Sequence, residues 1–152
     1  MLRIGQTNTM AKQKSEKKLA DERCLKLWKQ IIQLRDIVCQ RPNCPFCFNN
    51  KNANYLQAHH IVNRTCWPVR HDSLNGLLIC RSSHSYWCHS KNPFVMQKVL
   101  DFYNSLYCKD KKMSLMTYLD MRRHNQAKLD YKLIELELRQ QLKDILGGAY
   151  EV

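Results

Sequence analysis

The stretch that most constrains this chain runs from residue 55 to 92. A short apolar run there carries two adjacent histidines, His59 and His60, followed by Asn75 and then His84. Packing alone does not account for so many rings and amides close together, because each buried polar group must find a partner. Imidazole is a common metal ligand and the usual side-chain base near neutral pH. Tyr55 to Val62 reads as a short strand, and adjacent strand residues point to opposite faces. His59 and His60 therefore have different roles. Upstream, Cys44 and Cys47 form a C-x-x-C pair, a usual knuckle spacing for tetrahedral zinc, and Cys80 offers a third thiol. Cys24, Cys66 and Cys108 read as small buried apolar residues.

Composition agrees with a metal-stapled domain that meets a polyanion. The chain has 152 residues, enough for one domain with a modest core, and small cores often need a staple. Lys plus Arg number 25 against 13 acidic residues, giving +12, which points to nucleic acid as partner. Between residues 41 and 100 there are seven basic side chains and one acid, Asp72. Arg64, Arg70, Arg81 and Lys91 are the candidate DNA contacts in that segment, more suited to positioning phosphates than to reading bases. Met1 to Lys18 is polar and lysine-rich, with no apolar core of a signal peptide, so a reducing intracellular compartment is expected. There the eight cysteines read as thiols and metal ligands rather than disulfides. No run approaches the length of a membrane span.

The rest of the chain reads as helix. Residues 1–15 lack apolar periodicity and are expected to form a flexible basic arm. From Glu16 to Asp36 the spacing predicts a helix with Trp28 and Ile32 facing the core. Asn49 to Asn54 should be a surface loop. Asn92 caps a helix with Pro93 at its first position, and Ser114 caps a shorter one through Arg123. A last helix from Asp130 carries Tyr131, Ile134, Leu138, Leu142 and Ile145 on one stripe, which fits either the core or a homodimer seam. The fold class is α+β and mostly helical. The organisation is an arm over 1–15, a core with its N-terminal helix over 16–106, and C-terminal helices over 107–152 packing on the same domain.

The pattern from Gln57 to Pro93 resembles the HNH endonuclease motif. Its arginine and aspartate before the asparagine, Arg70 and Asp72, and its helix opening on Asn92-Pro93 resemble phage-encoded HNH recombination endonucleases. The resemblance implies a small ββα-metal core flanked by helices. It implies that His59 ligates a catalytic Mg2+ or other divalent ion, that His60 is the general base, that Asn75 braces the loop between the strands, and that His84 completes the metal site. The nine-residue step from Asn75 selects His84 over its rival His89. Many members carry a further cysteine three residues after the position of Cys80. Here that residue is Ser83, so a fourth ligand for a structural Zn2+ must come from Cys88 or Cys39. Cys88 is the favoured candidate, but it requires a break after Cys80, since an unbroken helix would put the two about 12 Å apart at ~1.5 Å per residue. Cys39 would instead make a C-x4-C pair with Cys44. The implied activity is phosphodiester hydrolysis in DNA, on recombination intermediates or other branched substrates, leaving 5′-phosphate and 3′-hydroxyl ends. The alternative is a zinc-stapled DNA-binding protein without catalysis.

Overall fold

A computed structural model describes residues 5–50, 55–125 and 128–147. The chain is mostly helical, with one hairpin at its centre. In order come α1 (Gly5–Asp36), β1 (Leu56–His60), β2 (Gly76–Cys80), α2 (Arg81–Ser83), α3 (Pro93–Ser105), β3 (Tyr107–Cys108), β4 (Met113–Ser114), α4 (Leu115–Arg123) and α5 (Tyr131–Gly147). A π-helical turn, His84–Cys88, continues α2 without a break. Helix α1 starts at Gly5, so the expected arm is helical from there on, while residues 1–4, and residues 51–54 of the expected surface loop, lie outside the described residues. The stretch from Gln6 to Ser15 holds no glycine or proline to stop a helix.

Helix α1 buries Cys24, Leu27, Trp28, Ile31 and Ile32, recurring at three- and four-residue steps. Against that face pack Leu78 of β2 and the stripe of α5 formed by Tyr131, Ile134, Leu138, Leu142 and Ile145. The opposite face of the hairpin, Leu77 and Ile79, packs on Trp87, Val99 and Tyr103. Strand β2 is therefore buried on both sides, and its residues are apolar throughout. Val69, Leu115 and Leu119 make a third cluster where α4 meets the connection between the strands. Asn92 and Ser114 cap α3 and α4, each side chain accepting from a backbone N–H of the first turn. Among the described residues, no helix is long and apolar enough to cross a membrane.

The two strands pair antiparallel, His59 opposite Leu77 and His60 opposite Gly76. The outer edge of β2 is covered by the end of α1 and the segment after it. Asp36 Oδ2 accepts from Leu78 N at 2.8 Å, Gln40 N donates to Leu78 O at 2.8 Å, and Arg35 donates to Gly76 O at 2.7 Å. A bare strand edge presents unpaired donors and acceptors, and residues 35–40 satisfy these in place of a third strand. A side chain at Gly76 would strike Trp28 and Ile32, each 2.6 Å from the added carbon, so the glycine lets α1 press onto the hairpin.

Candidate functional site

Two clusters of metal-ligating side chains lie on the hairpin's α3 side. The first joins Cys39, Cys44, Cys47 and Cys80, whose sulfurs all lie within 4.8 Å of one another. Cys44 and Cys80 are 3.6 Å apart at sulfur, close to the ~3.8 Å edge of a tetrahedron of thiolates at ~2.3 Å from zinc. Burial raises the Cys44 thiol, but the Ser83 hydroxyl and the N–H groups of Phe46 and Cys47 outweigh it and bring it down to about 6. The donor set fits a structural zinc. Cys88, expected as the fourth ligand, is not in the cluster. The break it required is absent, because α2 runs directly into the π turn that ends at Cys88. Cys39 takes its place: the segment covering the β2 edge brings its sulfur 3.3 Å from Cys80 N. Ser83 is buried in the cluster as a hydrogen-bond partner, 3.1 Å from Cys44 sulfur and within reach of Arg41.

The second cluster is His59, His84 and His89, one ring nitrogen of each lying within 4.8 Å of the others. Nitrogens at ~2.1 Å from a shared ion stand at most about 4.2 Å apart, so small side-chain rotations bring the three to one ion. His84 and His89 thus both join the cluster, rather than His84 alone. The π turn is the cause. In a regular α-helix residues five apart point in different directions, whereas here His89 N donates to His84 O at 3.2 Å, an i to i+5 bond that aligns the two rings 4.6 Å apart. Burial, then the neighbouring His84 and His89, push His59 down to about 3, and burial also lowers His84. Both are neutral imidazoles near pH 7, the form that binds a metal. His59 Nε2 is 3.0 Å from the Tyr103 hydroxyl, which itself hydrogen-bonds Cys88. With Nε2 so engaged, Nδ1 is left for an ion. Tyr103 reads from sequence as one more core residue of α3, and only the fold shows its tie to His59.

His60 projects to the other face, onto α1. Its Nε2 lies 2.9 Å from the Arg70 carbonyl and its ring stacks on Trp28. With that carbonyl as acceptor, Nε2 carries the proton and Nδ1 is free to accept one. Burial lowers the His60 pKa, against the opposing pull of the Arg70 carbonyl. Asn75 is fully buried and touches neither cluster. Its Nδ2 donates to the carbonyls of Val62 and Val69, and its Oδ1 accepts from Val62 N at 2.7 Å, tying the long connection to the start of β2.

Of the basic residues expected to face DNA, Arg64, Arg81 and Lys91 are exposed. Arg70 is not. Its guanidinium sits 2.8 Å from Asp21 of α1, donates to the Arg64 carbonyl and lies over the Trp67 ring, so it fixes the connection rather than offering a free charge. No family model matches this chain, and neither a curated protein nor a solved structure is similar to it.

Proposed function

We propose that this protein is a metal-dependent DNA endonuclease of the HNH type, built on a ββα-metal core and stapled by a zinc on Cys39, Cys44, Cys47 and Cys80. The supporting observation is the histidine triad, His59 on the hairpin and His84 and His89 on the following turn, gathered within reach of one ion. The +12 charge supplies attraction for the phosphate backbone. A divalent ion on the triad would supply charge neutralisation at the phosphate and the departing oxygen, and three imidazoles suit a transition-metal ion better than Mg2+, which prefers oxygen ligands. His60 takes a proton from the attacking water through Nδ1, and Arg70 and Trp28 hold its ring. Asn75 keeps the connection closed so that the hairpin and the turn that follows it present their histidines together. The products are 5′-phosphate and 3′-hydroxyl ends, and a role in phage recombination follows from the same resemblance.

Supercoiled plasmid incubated with Mg2+ or Mn2+ should be nicked by the purified protein and by neither the EDTA-treated protein nor His84→Ala. Retarded but intact plasmid in every metal tested would replace this reading with a zinc-stapled DNA-binding protein.

A further inference from the structure

One exposed surface has no part in either cluster. Phe46 of the cysteine knuckle and Tyr86 of the π turn are 48% and 71% exposed, with ring centroids 6.0 Å apart and planes tilted by 36°. The Arg41 guanidinium lies 5.5 Å from the Phe46 ring and 5.2 Å from the buried Trp87 ring, and it is steadied by Ser83. What sets these two rings apart is that they adjoin each other and a planar cation, so that three flat faces lie together at the surface.

We propose that Arg41, Phe46 and Tyr86 form a stacking platform for unpaired bases, so that the preferred substrate is DNA with a single-stranded segment beside the cleaved phosphate. The proposal rests on the nuclease reading for its placement. Tyr86 stands on the turn between His84 and His89, so a base on its ring belongs to a nucleotide close to the scissile bond. The occupant is argued from charge and shape. Arg41 lies against the rings, the exposed Arg81 and Lys91 lie five residues to either side of Tyr86 in the chain, and residues 41–100 contain no acid except Asp72, which is tied to Tyr118. An acidic nucleic acid fits this better than a neutral apolar partner. Rings and guanidinium offer flat faces, and base faces are free only where the duplex is open. The rings are also too close and too tilted to admit a base between them, which needs about 7 Å between parallel planes, twice the ~3.4 Å step of stacked bases. Bases therefore lie on the outer side of one continuous surface.

The test is binding to two fluorescein-labelled oligonucleotides of equal length, one fully duplex and one duplex with an unpaired arm, measured by anisotropy in Mg2+-free buffer. Wild type should favour the armed substrate. Tyr86→Leu and Phe46→Ala should each cut that preference between about fivefold and a hundredfold, the range of one lost base stack, and Tyr86→Trp should keep it. An unchanged preference in Tyr86→Leu and Phe46→Ala, or none in wild type, overturns the platform. Cleavage by wild type in Mg2+ is scored in parallel on both substrates. Cleavage with an unchanged preference removes the platform and leaves the nuclease, while a collapsed preference without cleavage removes the nuclease and leaves the platform.

Discussion

The imidazole of His60 lies flat on the indole of Trp28, ring centroids 3.9 Å apart and planes 9° from parallel. Both rings are moored to one short stretch of the connection, His60 Nε2 to the Arg70 carbonyl and Trp28 Nε1 to the Asp72 carbonyl, each at 2.9 Å. An imidazole held by a stack and a backbone bond keeps a fixed tautomer and a fixed aim, as the proposed general base requires. His60→Ala should lower plasmid nicking by about 10² to 10⁴, as loss of a general base does, while DNA affinity stays near wild type. Trp28→Leu should lower kcat by on the order of tenfold to a hundredfold through misplacement of that ring. Nicking by His60→Ala within threefold of wild type would assign the base to another residue.

The cysteine cluster reverses the order in which the sequence places two residues, Cys88 ahead of Cys39. Cys39→Ser should lower zinc content below one per chain and loosen the knuckle, since metal binding and folding are coupled in such sites. Cys88→Ser should leave one zinc bound, because that sulfur meets Tyr103 instead. Elemental analysis of both purified variants decides the matter. Full zinc in Cys39→Ser with loss in Cys88→Ser would reverse the assignment.

What could be read in advance was local. Caps at Asn92 and Ser114, and the burial of Trp28 and Ile32, follow from neighbours within a turn or two. The missed features depend on contacts between distant segments or on a departure from regular geometry. Cys39 reaches Cys80 only because residues 35–40 fold back along the β2 edge, and nothing in the C-x4-C spacing says so. His89 joins His84 only through a π turn, which no periodicity in His-Ser-Tyr-Trp-Cys announces. Arg70 looked like a phosphate contact because its partner, Asp21, sits forty-nine residues earlier on α1.

Tyr103 is expected to matter for the ion rather than for the fold. Its hydroxyl fixes which His59 nitrogen is free, and outer partners of this kind are worth about 10- to 100-fold in metal affinity. Tyr103→Phe keeps the ring and removes the hydroxyl. Titration with Mn2+ should show weaker binding by that factor with the melting temperature little changed, and an unchanged Mn2+ affinity would mean that the Tyr103 hydroxyl does not set the His59 ring for an ion.

Asp21, Arg70 and His71 form a buried charged group between α1 and the connection, with Tyr131 of α5 against it. Asp21 Oδ2 pairs with Arg70 at 2.8 Å, and its other oxygen is 2.9 Å from His71 Nε2 without the alignment of a hydrogen bond. Removing one partner of a buried ion pair leaves the other charge stranded, so Asp21→Ala should cost about 3–5 kcal/mol in urea unfolding. His71 adds a pH dependence of known sign. Burial holds its pKa below the ordinary 6.5, against the pull of Asp21. The unfolded chain therefore takes up a proton on this ring at a higher pH than the folded one does. Its contribution to stability is complete above about pH 6.5 and is lost as pH falls from there through the lowered folded value. Unfolding free energies measured from pH 7.5 down to 5 should fall less steeply in His71→Gln than in wild type. A slope that stays the same would mean that His71 carries its proton in the folded protein as readily as in the unfolded chain, with the pull of Asp21 offsetting burial in full.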